Sequence, residues 1–239
     1  MKKTAKSAVA LLMSLVLICS LSAAVFAESG QTVSSVREAF SLIQSTRMFA
    51  IYDAELHRNN SVENVYYVVC YGLNNNSLNT NDPQSLGTAI RISLSLENNT
   101  FAASLAATVK NNIPVGSKVV FLGASMGGMV IQQAIANKEI KDKYDIVYST
   151  AICSPYILTV GSKEGTLRRV NDTFDPIAYL SIPLLANPLI GNVSQETSFV
   201  SGEVHINSYL YGDCWKNYDC LGVKNGGAYM VLNKLVYSC

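Results

Sequence analysis

One short stretch restricts the fold of this 239-residue chain more than any other. Residues 118–122 (KVVFL) form an apolar, β-branched run of the kind that makes a buried strand, and residues 129–137 have helix-forming composition. Between them stands Gly123-Ala124-Ser125-Met126-Gly127-Gly128. A chain that passes from strand to helix in so few residues must reverse sharply. Glycines on either side of Ser125 make a strained serine sterically possible there. The Ser125 hydroxyl is then presented above a sheet edge at a helix N-terminus, where the N–H of Met126 and the helix dipole favour negative charge. A bare G-x-S-x-G recurs by chance, so its weight comes from the strand–helix context. The dinucleotide fingerprint does not fit, because Ser125 occupies the place of its second glycine.

The remaining runs agree with that context. Residues 65–72 (VYYVVCYG), 145–152 (DIVYSTAI) and 167–170 read as strands, and 74–81 as an Asn-rich surface loop. Residues 32–50 carry Val36, Phe40 and Ile43 at helical spacing, and 100–111 carry Phe101, Leu105 and Val109 before Pro114 and Gly116. Strands that are continuously apolar and alternate with helices predict an α/β fold, with a mostly parallel central sheet flanked by helices. From Asn207 onward the Tyr- and Gly-rich sequence gives no placement.

The N-terminus reads as an export leader over 1–27. Lys2, Lys3 and Lys6 precede an apolar run, and Val25-Phe26-Ala27 offers small residues at the cleavage positions. The expected mature chain, 28–239, suits one secreted domain with no integral membrane segment once the leader is removed. A net charge of +1 supplies no field for nucleic acid, and Lys163, Arg168 and Arg169 read as a solvated face. Of six cysteines Cys19 lies in the leader. Among the other five, a local Cys214–Cys220 disulfide is the best expectation, with Cys239 an alternative partner and Cys70 and Cys153 buried in strands. The spacing matches no zinc site, and neither metal nor cofactor is expected.

A serine needs a base, and the chain has two histidines, His57 and His205. Where nucleophile, acid and base follow in that order along the chain, only His205 qualifies, and His57 reads as an exposed loop residue. The acid must lie between. Asp142 and Asp145 come before the next strand, whereas Asp172 and Asp175 follow one. Asp175 is favoured because Pro176 fixes the backbone and removes a competing N–H; Asp172 is the reserve.

These residues resemble the class 3 lipase branch of the α/β-hydrolases and its bacterial relatives over about 65–209. The helix–strand–elbow–helix unit with the double glycine matches 101–137, an Asp-Pro turn matches Asp175-Pro176-Ile177-Ala178, and a histidine ahead of a tyrosine-bearing helix matches His205 with Tyr209. The resemblance implies a serine esterase with a small-molecule or lipid ester substrate, and a first oxyanion donor in the N–H of Leu73, after Gly72. Ala124 and Met126 stand where the family usually has histidine and leucine. No apolar lid follows Gly72, which favours short or soluble acyl esters. Thioesterase, peptidase or acyltransferase chemistry would use the same triad. An exported binding protein that keeps the fold is the alternative of a different class, motivated by the aromatic tail Tyr209, Tyr211, Trp215 and Tyr218.

Overall fold

The computed structural model describes residues 30–73, 81, 84–93, 100–159, 161–179, 191–200 and 204–239. The leader expected over 1–27 and nearly all of the 74–81 loop lie outside them. Eight strands make one sheet in the order β1-β8-β2-β3-β4-β5-β6-β7. The strands are β1 (Gln31–Val33), β2 (Phe49–Arg58), β3 (Ser61–Cys70), β4 (Lys118–Ala124), β5 (Asp145–Ile152), β6 (Thr166–Asp172), β7 (Asn192–Glu196) and β8 (Tyr229–Ser238). From β3 to β7 every pairing is parallel, while β1, β8 and β2 add antiparallel ladders on the other side. This is an α/β fold with a mostly parallel sheet flanked by helices, as the sequence predicts.

Period-two alternation divides the strands' side chains between two cores. Tyr52, Leu56, Tyr67, Val69, Val120 and Leu122 enter one core, together with Val36, Phe40 and Ile43 of α1 (Val36–Gln44) and Tyr209 of α6 (Val204–Tyr211). Ile51, Val68, Val119 and Phe121 enter the other, beneath α2 (Leu86–Ser93), α3 (Thr100–Asn112) and α4 (Met126–Ala134), with the short α5 (Lys138–Lys141) at its margin. Among the described residues no helix is long and apolar enough to cross a membrane.

Several expectations are corrected. The first helix is shorter than 32–50. Ser35 caps it through the N–H of Glu38, and the Glu38 carboxylate accepts from the N–H and hydroxyl of Ser34, so the helix cannot begin earlier. It ends at Gln44, and Phe49 and Ala50 already belong to β2. That strand forms a hairpin with β3 around Asn59 and Asn60, both at positive φ (51° and 60°), a conformation asparagine tolerates. His57 is therefore a strand residue. It stacks on Tyr229 with ring centroids 4.4 Å apart, and its Nε2 lies 3.2 Å from Glu55.

The unplaced tail proves structural. Trp215, in a 3-10 turn over Asp213–Asn217, is fully buried between Tyr209 and Tyr218, with ring centroids 5.3 Å from each. Phe40 of α1 lies 5.3 Å from Tyr209, extending the aromatic row to another helix. Only Tyr211 of the four expected aromatics is exposed. The chain then returns as β8, between β1 and β2.

No disulfide joins Cys214 to Cys220. The intervening turn commits Trp215 to the core, with Cys214 half-buried and Cys220 buried as separate thiols. Arg169 is also no solvated residue. It is 1% exposed, with its guanidinium carbon 5.7 Å from the centre of the Tyr156 ring, and burial lowers its pKa to about 10.

Replacing Trp215 by alanine removes the centre of the aromatic row. It is expected to cost about 3–5 kcal/mol, read as a fall in the urea midpoint at unchanged slope.

Candidate active site

Parallel strands bring their carboxyl ends to one edge, and the residues singled out above lie just past those ends. Gly72 and Leu73 follow β3, Ser125 follows β4, Cys153 follows β5 and Asp175 follows β6. His205 sits in the first turn of α6, after β7. His57 pairs with Val62, eight residues before Cys70 along β3, which puts it about 26 Å from this edge. It takes no part in the site.

Ser125 has φ 54° and ψ −123°, a conformation that L-residues rarely adopt. Its N–H donates to Ile152 O of β5 (3.0 Å), and its carbonyl accepts from Met129 N of α4 (3.3 Å). The serine is thus pinned between strand and helix. The neighbouring glycines serve clearance. A Cβ at Gly123 would lie 2.6 Å from Gly127 O, one at Gly127 would lie 2.5 Å from Tyr71 O, and one at Gly128 would meet Ser154 Cβ at 2.5 Å. Each would collide with backbone or a packed side chain. A Cβ at Gly72 would come within 3.1 Å of Ser125 Cβ, so the strand end carrying Leu73 presses directly on the turn. Met126 is the first residue of α4, and the leading N–H groups of a helix have no intrahelical acceptor.

Asp175 and His205 are in direct contact. Nδ1 of His205 lies 3.0 Å from both carboxylate oxygens of Asp175, whose side chain is fully buried while that of His205 is 13% exposed. The carboxylate is held in place as well. Ile177 N–H donates to Oδ1 (3.0 Å) and the Tyr209 hydroxyl to Oδ2 (3.2 Å). Pro176 leaves Ile177 as the next N–H available to close that turn.

Asp172 is occupied elsewhere. Its Oδ1 accepts from Phe174 N (2.8 Å), and its Oδ2 accepts from Ser198 N (2.9 Å) and the Ser208 hydroxyl (2.6 Å). Ser208 in turn accepts from Trp215 Nε1 (3.1 Å), and the Asp172 N–H donates to Tyr209 Oη (2.6 Å). Residues 205, 208 and 209 share one face of α6, so a single helical surface carries His205 to Asp175 and Ser208 to Asp172. Of the two aspartates that the sequence left open, Asp175 meets the histidine and Asp172 docks the helix.

Cys153 is a member of this site that sequence reasoning missed. It has φ 46°, and its N–H donates to Val170 O (2.9 Å). Its Sγ, a ring nitrogen of His205 and a carboxylate oxygen of Asp175 all lie within 4.8 Å of one another. These are donor types that zinc accepts, and the group is close enough to hold an ion. Because Cys153 directly follows Ile152, which binds the Ser125 N–H, it also links the serine to the Asp175–His205 pair. The available signal was its position immediately beyond a predicted strand.

Comparisons of the chain with protein-family models, curated proteins and solved structures return no match.

Asp172 is a buried carboxylate that ties stability to pH. Burial pushes its pKa up, but the donors from Ser198, Ser208 and Phe174 outweigh burial and hold it below the ordinary value. A depressed folded-state pKa stabilises the fold above the ordinary aspartate range and is lost as pH falls through it. Asp172→Asn is expected to cost about 2 kcal/mol near neutral pH, lowering Tm by roughly 4–8 °C. Its deficit against wild type should narrow below about pH 4, as thermal melts across pH would show.

Proposed function

We propose that the chain is a serine hydrolase of the α/β-hydrolase type. The single observation that carries this reading is Ser125, held at positive φ in the joint between a parallel strand and a helix, at the edge where Asp175 grips His205. Strained backbone of this kind concentrates where a side chain must be aimed.

More narrowly, the reaction is hydrolysis of a carboxylic ester. His205 takes the Ser125 proton as Oγ attacks the ester carbonyl carbon, and the negative oxygen is received by the N–H groups of Met126 and Leu73. Collapse breaks the bond to the alcohol oxygen, which leaves with the proton from His205. Water, deprotonated by His205, then attacks the acyl carbon and frees Ser125. Asp175 holds the imidazole orientation and offsets its positive charge throughout. No step requires a cofactor. The leader-like segment 1–27 assigns this activity to the outside of the cell, and the polar character of 74–81 favours short or soluble acyl esters over long-chain ones.

A fluorophosphonate probe should label wild type at Ser125 and leave Ser125→Ala unlabelled, with His205→Ala labelled far more slowly. A folded wild type that takes no label sinks the hydrolase reading and leaves a binding role. That alternative has lost much of its support, since Tyr209, Trp215 and Tyr218 are packed inside the fold. In p-nitrophenyl ester assays across chain lengths, Asp175→Asn is expected to lose about 10³–10⁴-fold in kcat. Asp172→Asn should keep activity within about tenfold below its melting temperature, because the isosteric amide retains an acceptor for the donors that anchor α6 and the carboxylate on His205 is that of Asp175.

A further inference from the structure

Gln84 lies outside every motif described so far, yet it is 4% exposed and sits beside the serine's strand neighbour. Its Nε2 donates to two backbone carbonyls, Gly72 O and Arg47 O, each at 2.9 Å. The backbone around both acceptors is tied down. Tyr71 N donates to Met48 O (3.0 Å), joining the end of β3 to the segment before β2. Gln84 itself is followed by Ser85, whose hydroxyl caps the start of α2 through Thr88 N (3.1 Å). A side-chain amide mounted on a capped helix thus grips the Gly72–Leu73 peptide from one side.

A trans peptide is planar, with its C=O and N–H pointing in opposite directions. Fixing the Gly72 carbonyl toward Gln84 therefore fixes the Leu73 N–H away from it. The same strand end presses on the elbow, since a Cβ at Gly72 would lie 3.1 Å from both Ser125 Cβ and Ala124 O. We propose that Gln84 is a positioning residue that aims the Leu73 N–H at the oxyanion formed on the Ser125 adduct. This inference rests on the hydrolase reading and assigns to it a residue outside the triad that acts through the Gly72 carbonyl. Leu73 has no side-chain donor of its own, so the direction of that one N–H decides whether its half of the oxyanion site exists.

The test compares wild type with Gln84→Met, which keeps the volume and removes the donor, and with Gln84→Asn, which keeps an amide but draws it back by one methylene. Three quantities are measured on each: Tm, kcat and KM for p-nitrophenyl acetate, and Ki for phenylboronic acid. The boronic acid forms a B–O bond to Ser125 Oγ as the serine proton passes to His205, giving a tetrahedral adduct with an oxygen in the oxyanion position. Losing an oxyanion donor outright costs about 10²–10³ in kcat, so a misaimed one should cost about tenfold or more. The expected result is kcat down and boronate Ki up by similar factors, with KM within about twofold, in Gln84→Asn and in Gln84→Met where it folds. A purely structural role for Gln84 would lower Tm and leave kcat and boronate Ki within about twofold of wild type, which overturns the proposal while the hydrolase reading stands. If wild type neither hydrolyses the ester nor takes the fluorophosphonate label, both fall together.

Discussion

The buried carboxylate of Asp172 ties together three segments at the carboxyl edge of the sheet. It ends β6, and its two oxygens collect the N–H of Phe174, the N–H of Ser198 and the hydroxyl of Ser208. Those partners belong to the turn after β6, the segment after β7 and α6. A buried charge left short of donors is costly, so the three segments are held until all the bonds are made. Trp215 continues the network by donating to Ser208 from within the aromatic row. Because His205 shares a helical face with Ser208 and Tyr209, docking that face on Asp172 delivers the imidazole to Asp175. The candidate site is therefore a consequence of how α6 is anchored, and only secondarily of the histidine itself.

The other half of the site depends on close approach. Ser125 occupies a region of backbone space that costs of the order of 1–3 kcal/mol for a non-glycine residue, and it persists because its surroundings over-determine it. Its N–H is held by β5, its carbonyl by α4, and the flanking glycines let β3 and the Ser154 turn come within contact range. Cys153, one strand over, also has positive φ. Two strained residues on adjacent strand ends lie beside a buried His–Asp pair at this edge.

Much of this was legible in the residues because the signals are local. The elbow announces itself through KVVFL, three glycines and the helix that follows, and β3 and β5 through their apolar, β-branched and aromatic runs, whereas β6 showed only as the short stretch 167–170. His205 could be chosen, and the acid narrowed to Asp172 or Asp175, by order along the chain, since a parallel sheet visits its strand ends in sequence. The failures share one cause. The β2–β3 hairpin was hidden because FAIYDAELHR opens on four apolar residues that blend with the helix before it and alternates only from Asp53 onward. The strand β8 lies between β1 and β2, far from them in the chain, and nothing local marks such a pairing.

Taken alone, the sequence determined the class of the fold, the presence of a strained serine between strand and helix, and the short list of groups able to act with it. Those are properties of neighbours within a few residues, where period, glycine placement and helix composition leave few options. The tertiary structure alone decided which aspartate holds the histidine, that Asp172 anchors a helix, that Cys153 joins the site, and that Gln84 grips the Gly72 carbonyl. Each of these is a contact between segments distant in the chain, and hydrogen-bond satisfaction in a buried environment becomes defined only once the sheet has set its strand ends side by side.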